Sequence, residues 1–180
     1  MVSWSKIARR SRVPLGFVLA VAYLLLADPI PLSLALGALF IVPGLMIRAL
    51  ASGHVAKNER LATSGPYAYT RNPLYFGSLI MATGFIFAAR SVWVLALVAC
   101  MFVAIYLPVI RAEEAYLTQH FPEFVEYSRR VPKLIPTLAT PYPPRWSFSR
   151  ELYLKHREYN AALGSAAMLA ILVIKWWLLS

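Results

Sequence analysis

Two polar motifs hold most of the side chains suited to ligand binding or proton transfer, and both border strongly apolar segments. The first covers residues 64–75 and reads Ser-Gly-Pro-Tyr-Ala-Tyr-Thr-Arg-Asn-Pro-Leu-Tyr. The second covers residues 111–114 and reads Arg-Ala-Glu-Glu. Charged groups are costly beside a membrane span and are retained there mainly for function. The two motifs therefore predict an enzyme that works at a membrane surface.

Arg71 is the first candidate for anion binding. Its planar guanidinium suits a carboxylate or a phosphate. Asn72 and Pro73 follow it, and Pro73 fits the first turn of a helix, where its missing N–H costs nothing. Helix N-termini also favour anions. The alternative is that Arg71 only reaches to lipid headgroups, as basic residues near helix ends often do.

Glu113 and Glu114 are candidates for binding a hydroxyl or an ammonium group. Adjacent positions on a helix point about 100° apart, so the two carboxylates would not share one ligand atom. One is expected to face inward while the other pairs with Arg111, Arg129 or Arg130. The alternative is a pair of solvated surface glutamates.

Aromatic side chains surround Arg71. The faces of Tyr67, Tyr69 and Tyr75 suit a sulfonium or an ammonium group, and the alternative is an ordinary interfacial aromatic belt. His54, at the end of an apolar run, is a further candidate ligand. The histidines, the cysteine and the acidic residues show no metal-ligand spacing, so no metal site is expected.

The composition places the chain among integral membrane proteins. Of its 180 residues, 59% are hydrophobic and 14% are charged, against about 25% charged in a soluble domain. The mean hydropathy is +0.60. The net charge is +10, and most of the charged residues lie outside the apolar runs, which indicates topology signals and contact with membrane lipids rather than nucleic acid. A single membrane domain over residues 1–180 is expected.

The apolar runs predict an all-α integral membrane protein of about five transmembrane helices. Each run is near the length that a bilayer core requires, and they cover 13–30, 32–51, 73–89, 92–110 and 161–178. Two very short connections predict antiparallel hairpins. Pro43-Gly44 predicts a kink or local unwinding. Residues 1–27 also resemble a signal peptide, but an uncleaved span is preferred because a second apolar run follows almost at once.

Basic residues indicate which membrane face carries the motifs. They concentrate in the N-terminal tail, in the 52–72 loop and in the 111–158 segment. The positive-inside rule therefore places these parts in the cytoplasm and the C-terminus on the opposite side. A cytosol-facing pocket would then be open to a soluble cofactor.

Sequence periodicity predicts further elements around this face. A helix is expected over 111–128, ended by the Val-Pro-Lys-Leu-Ile-Pro segment at 131–136. An interfacial loop at 137–147 and a charged amphipathic helix at 148–160 precede the last span. Small residues on the third span predict close packing within the chain, and Lys175-Trp-Trp at the end of the last span is typical of an interfacial anchor.

The motifs together resemble the signature of the isoprenylcysteine carboxyl methyltransferase family, which is related to the phospholipid N-methyltransferases. The resemblance covers about residues 45–136. The matching positions are His54, Glu59-Arg-Leu61, Gly65-Pro-Tyr67, residues 69–77, Arg111-Ala-Glu-Glu114, Leu117, Phe121, Tyr127 and residues 131–136. Many members carry a histidine after the arginine, where this chain has Asn72.

The resemblance implies a membrane enzyme that uses S-adenosylmethionine without a Rossmann domain. The acceptor would be a lipophilic small molecule or a lipidated group that enters from the bilayer. Arg71 and Glu114 are the implied catalytic residues. The implied cofactor-binding residues are His54, Leu61, Gly65, Tyr67, Arg71, Asn72, Pro73, Tyr75, Glu113 and Glu114.

Several functions remain open at this point. An isoprenylcysteine-type carboxylate acceptor needs no base, whereas a phospholipid amine must lose a proton, for which Glu113 or Glu114 would be the candidates. A different enzyme, an NAD(P)H-dependent reductase of the sterol-reductase type, is a second reading. A non-catalytic membrane protein that binds lipid or assists assembly is a third.

Overall fold

The computed structural model describes residues 4–56, 60–139, 142 and 148–180, and the side chains among them from residue 14 onward. Glu59 of the motif and most of the predicted 137–147 loop lie outside the described residues. The same holds for the side chains of the basic N-terminal tail.

In the part of the chain that the structure describes, every regular element is a helix, which confirms the predicted all-α class. The α-helices are α1 (Trp4–Leu26), α2 (Pro31–Ser52), α3 (Pro73–Ala89), α4 (Val92–Met101), α5 (Leu107–His120), α6 (Phe124–Arg130), α7 (Arg150–Lys155) and α8 (Tyr159–Leu179). A 3₁₀ turn at Gly65–Ala68 precedes α3. A π-helical turn at Phe102–Tyr106 joins α4 to α5.

The long apolar helices confirm an integral membrane architecture. Three helical stretches are long and apolar enough to cross a membrane: Pro31–Ser52, Val92–His120 and Tyr159–Leu179. Shorter apolar helices cover Pro14–Leu26 and Pro73–Ala89. The stretch Val92–His120 extends ten residues beyond the predicted end of its span at residue 110, because the helix continues past the membrane part into the second motif.

Helices α2 and α3 form the most extensive contact, and they run antiparallel. Glycines allow their backbones to meet. A methyl group built at Gly84 would lie 2.5 Å from the carbonyl oxygen of Gly37, and one built at Gly44 would lie 2.7 Å from that of Gly77. Small residues favour such close packing between helices in a membrane. The predicted use of the small-residue face of α3 is therefore confirmed.

The end of the bundle away from the two motifs contains the short turns and the C-terminal end of α8. The backbone N–H of Asp28 donates to the carbonyl oxygen of Ala89 at 2.9 Å. Lys175 donates to the carbonyl oxygens of Leu24 and Ala27, both at 2.7 Å. A cation at the C-terminal end of α1 satisfies carbonyls that have no partner within the helix. Lys175, predicted as an interfacial anchor, thus also ties α8 to α1.

Helix α2 continues through Pro43 and Gly44, so the predicted local unwinding does not occur there, and the alternative of a kink stays a prediction. Two other local predictions are wrong. The helix predicted over 111–128 is divided, because Phe121 precedes Pro122 and takes an extended conformation. The helix predicted over 148–160 is interrupted after α7, where Arg157 adopts a positive φ of 53°.

The contact between α2 and α3 predicts that Gly84→Ala destabilises the protein. The added methyl has no space against the carbonyl of Gly37, and overpacking of this kind costs about 1–3 kcal/mol. Thermal unfolding of the detergent-purified protein should therefore begin several degrees lower, by roughly 2–4 °C per kcal/mol. Gly164→Ala is the matched control, because a methyl there meets nothing within 4 Å. Equal stability of the two variants would contradict the packing argument.

Candidate functional site

A large cavity, here called the polar cavity, lies at the end of the bundle where α2 ends and α3 begins. Its volume is about 910 Å³, within the usual range for small-molecule sites. Eight of the ten predicted cofactor-binding residues line it, namely Leu61, Tyr67, Arg71, Asn72, Pro73, Tyr75, Glu113 and Glu114. Both sequence motifs therefore contribute to one site.

His54 and Gly65, the remaining two, are not among the described residues that line the polar cavity. Gly65 has a φ of 56°, a backbone conformation that favours glycine. A methyl group at Gly65 would collide with the imidazole of His54, and Nδ1 of His54 lies 2.7 Å from the carbonyl oxygen of Leu50. The two residues thus shape the turn that presents Tyr67.

Helix α6 supports this turn from behind. The hydroxyl of Tyr127 donates to the carbonyl oxygen of Tyr67 at 2.7 Å. Burial raises the pKa of the Tyr67 phenol far above its ordinary value, with a further contribution from the neighbouring Tyr127. Burial likewise raises the pKa of Tyr127, against a smaller opposing effect of Arg71. Both phenols therefore stay protonated well above neutral pH.

The 131–137 segment pairs with the first motif through the backbone. The N–H of Arg71 donates to the carbonyl oxygen of Pro132 at 2.9 Å, and the N–H of Thr137 donates to that of Tyr69 at 3.0 Å. The end of α6 at Arg130 confirms that this segment terminates the helix. The pairing brings Lys133 to the motif that begins α3.

Glu114 is the centre of a charge network. Its Oε1 lies 3.1 Å from Nη1 of Arg71, and its Oε2 lies 2.6 Å from Nζ of Lys133. Asn72 donates from Nδ2 to the backbone oxygen of Lys133 at 2.8 Å and to Glu114 at 3.4 Å. Asn72 thus orients both the carboxylate of Glu114 and the 131–137 segment.

The predicted partners of the second motif's glutamates are therefore wrong for Glu114. It pairs with Arg71 and Lys133 rather than with Arg111, Arg129 or Arg130. Arg130 instead forms an exposed i,i+4 ion pair with Glu126, at 2.5 Å. The backbone pairing of the 131–137 segment decides this choice, and no local sequence pattern encodes it.

Arg71 keeps one donor without a partner. Its Nε is buried, and within the described residues no acceptor lies in hydrogen-bond range. A buried donor without an acceptor is costly, so a ligand oxyanion would be stabilised at this point. Glu113 lines the same cavity, and no described cation lies within ion-pair distance of it.

Aromatic rings complete the wall. Tyr67 and Tyr75 line the polar cavity, and the ring of Tyr75 meets that of Tyr106 edge to face at 6.0 Å. Tyr69, predicted with them, is absent from the described lining residues and contributes backbone contacts. Two of the three predicted aromatic side chains thus line the cavity.

A second cavity, here called the apolar cavity, lies among α1, α3, α4, the π-helical turn and α8. Its volume is about 390 Å³, and apolar side chains such as Leu19, Phe85, Val98 and Met168 dominate its lining. It shares four residues with the polar cavity: Ser78, Tyr106, Asn160 and Ala161. The two spaces therefore adjoin, one suited to polar groups and the other to a hydrocarbon chain.

The comparisons with known proteins agree with this arrangement. The sequence profile of the phospholipid methyltransferase family matches residues 32–123. The chain belongs to this family. The relation to phospholipid methyltransferases that the motifs predicted is confirmed, and the match begins before the expected core at residue 45 and ends before residue 136. No solved structure matches the chain.

Two relatives carry names from metal resistance. The chain is 39% identical over 111 residues to the cobalt-zinc-cadmium resistance protein CzcN of Cupriavidus metallidurans, which covers 61% of this chain and 51% of that protein. It is 37% identical over 83 residues to the nickel-cobalt-cadmium resistance protein NccN of Alcaligenes xylosoxydans xylosoxydans, which covers 46% and 39% respectively. The chain thus spans about half the length, or less, of these curated relatives.

Sequence reasoning missed several polar residues of the site, among them Arg48, Ser78 and Glu158. All three line the polar cavity. Arg48 was detectable, because a charge inside an apolar run suggests function. Ser78 and Glu158 had no comparable signal, since a serine in a helix and a glutamate in a charged segment are both common.

The buried phenols predict an effect of Tyr127→Phe that depends on pH. Near pH 8 the variant loses the hydrogen bond to Tyr67, at a cost of about 1 kcal/mol. Because the folded pKa lies above the unfolded value near 10, the stability held by the neutral phenol is present below about pH 10 and is lost as the pH rises further. The variant should therefore lose less stability than wild type between pH 9 and 11.

Thermal unfolding of the purified protein across this pH range checks the prediction. Tyr116→Phe is the control, because Tyr116 is 39% exposed. Parallel losses in wild type and Tyr127→Phe would show that this phenol does not contribute to the alkaline transition.

Proposed function

We propose that the chain transfers a methyl group from S-adenosylmethionine to a lipid-like acceptor at the membrane face where the polar cavity lies. The observation that carries the proposal is that the polar cavity adjoins the apolar cavity in a chain of the phospholipid methyltransferase family. One holds the Nε of Arg71, which has no partner among the described residues, and the other is lined mainly by apolar side chains between helices.

The residues of the polar cavity fit the cofactor. Arg71 offers its Nε to a carboxylate such as that of the methionyl group. Glu113 suits an amino group or ribose hydroxyls, and the rings of Tyr67 and Tyr75 suit a sulfonium. When bound, S-adenosylmethionine supplies an electrophilic methyl group. Leu61, Asn72 and Pro73 complete the proposed binding wall, and His54 and Gly65 shape the turn that presents Tyr67.

Arg71 and Glu114 are the residues proposed for the reaction itself. Glu114 and Lys133 hold Arg71 in one orientation, and Arg71 in turn fixes a carboxylate next to the acceptor. Orientation of two reactants in a space shielded from water supplies much of the rate in such transfers. A carboxylate acceptor requires no proton transfer. An amine acceptor must lose a proton, and Glu113 is the carboxylate of the motif without a cationic partner in the described structure.

The proposed orientation follows from the basic segments. The polar cavity is formed by the end of α2, the start of α3 and the second motif, which all belong to the Lys/Arg-rich side. We therefore propose that the cavity and the N-terminus face the cytoplasm and that the C-terminus lies on the opposite side.

The names of the two relatives suggest a physiological setting. We infer that a link to metal resistance would act through a methylated membrane component, because the proposed chemistry acts on a lipid-like acceptor. The reductase and the non-catalytic protein remain the competing hypotheses. Binding of S-adenosylmethionine distinguishes the proposed methyltransferase from both.

Arg71→Gln should weaken the binding of S-adenosylmethionine by about tenfold or more, because a charge-assisted contact to a carboxylate is lost. Isothermal titration calorimetry on detergent-purified protein measures this directly. Glu113→Gln should weaken binding to a smaller extent. Arg111→Gln is the matched control, since Arg111 is exposed on the same helix and is not among the described lining residues.

The same titrations decide between the methyltransferase and the reductase hypotheses. A well-folded wild type that binds neither S-adenosylmethionine nor its demethylated product would overturn the proposal. Binding of NADPH in its place would favour the reductase reading.

The chemistry of the product should identify the acceptor class. Membranes that contain the protein, incubated with S-adenosylmethionine labelled in the methyl group, should yield label in the organic extract, and Glu114→Gln should reduce this label at least tenfold. A methyl ester releases volatile methanol in mild base, whereas an N-methyl group does not. Volatile label thus indicates a carboxylate and retained label indicates an amine. No label above that of membranes lacking the protein would contradict methyl transfer to lipid.

A further inference from the structure

Arg48 lies where the two cavities adjoin, although neither sequence motif contains it. Its aliphatic stem passes over Gly77, where a methyl group would lie 2.8 Å from its Cγ. Its Nε and Nη2 both contact Oε1 of Glu158, and its Nη1 contacts the hydroxyl of Ser78. Both charged side chains are largely buried, with 23% and 12% of their surface exposed.

The surroundings of Arg48 connect a polar space to an apolar one. Arg48 and Glu158 line the polar cavity, while Ser78 and Asn160 line both cavities. An amphiphile whose hydrocarbon chain occupies the apolar cavity would therefore bring its polar head to the guanidinium of Arg48.

Glu158 comes from a segment outside the part of the chain that matches the family. It directly follows Arg157, whose φ of 53° is disfavoured for any residue other than glycine. The N–H of Ser149 donates to the carbonyl oxygen of Gly53 at 2.9 Å and fastens this segment to the end of α2. Local strain of this kind is retained where the surrounding structure requires it, often at functional sites.

The ion pair with Glu158 leaves Arg48 able to form a contact with more hydrogen bonds to another anion. Glu158 uses only Oε1 toward Arg48, whereas a carboxylate or phosphate that approaches freely can accept two parallel N–H donors. A partly buried guanidinium needs an anion at all times, because its unpaired charge is costly there. Glu158 meets this need when no ligand is bound.

We propose that Arg48 binds the anionic head, a carboxylate or a phosphate, of an acceptor whose chain fills the apolar cavity, and that Glu158 is a resident competitor which this head displaces. The role of this amphiphile as a methyl acceptor rests on the proposed methyl transfer. The binding of an anionic amphiphile does not, and it can be measured without the cofactor.

Binding of radiolabelled laurate to the full chain in phosphatidylcholine nanodiscs tests the proposal, with empty nanodiscs as background. Glu158→Gln should bind laurate about tenfold more tightly, because the competitor is removed. Arg48→Gln should bind it at least tenfold more weakly, and the double variant should behave like Arg48→Gln. Glu126→Gln is the matched control, since it breaks an exposed glutamate–arginine pair away from both cavities.

Competition distinguishes the two anionic heads. If dodecyl phosphate displaces radiolabelled laurate more effectively than unlabelled laurate does, the natural ligand carries a phosphate. If unlabelled laurate is the more effective competitor, the natural ligand carries a carboxylate. Dodecanol should compete weakly in wild type and equally in every variant.

The proposal is overturned if Glu158→Gln leaves laurate binding unchanged or weakens it. A lower unfolding temperature of this variant would then show that Glu158 only fastens the C-terminal segment. Unchanged binding in Arg48→Gln overturns it as well. Titration of S-adenosylmethionine on the same samples separates the two proposals. Cofactor binding with no response of laurate to these variants rejects the Arg48 site alone, and the opposite pattern rejects the methyltransferase alone.

Discussion

The backbone contact between α2 and α3 is the constraint on which the rest of the structure depends. Gly37 and Gly44 on one helix meet Gly84 and Gly77 on the other at distances that no side chain would allow. This contact aligns the end of α2 with the start of α3, so that the connecting loop must fold back over both. Gly77 also provides the surface on which the stem of Arg48 lies. The position of the polar cavity follows from this alignment.

Charge neutralisation at the border of the membrane is the second organising factor. Arg71 lies against Glu114, and Arg48 lies against Glu158. Each pair spares a partly buried cation the cost of an unpaired charge. The first pair is braced by Lys133 and Asn72 and therefore holds a donor toward the cavity. The second pair has no further charged partner among the described residues. The first pair therefore suits a fixed contact with a ligand, and the second suits an ion pair that a ligand can displace.

The C-terminal segment extends the site beyond the region that defines the family. The profile match ends at residue 123, but α8 lines part of the apolar cavity, and Glu158 lines the polar one. Lys175 fastens α8 to the end of α1, which keeps the wall of the apolar cavity in place. The proposed specificity for the acceptor would thus depend on α8, which lies outside the matched residues 32–123.

The sequence alone determined the all-α membrane class, the approximate spans and the two motifs, because apolar run length, turn residues and charge placement are local properties that a bilayer constrains strongly. Pro73 at the start of α3 and Gly65 in its turn were predictable for the same reason. The interruption at Phe121 was also locally encoded, by Pro122, yet the helical periodicity of the segment outweighed it in the prediction. Only the tertiary structure decided that Glu114 pairs with Arg71 and Lys133, since the pairing of distant backbone segments selects one cation among several nearby in sequence. The same holds for Arg48 and Glu158, which are separated by more than half of the chain and meet only because α2, α3 and α8 pack together.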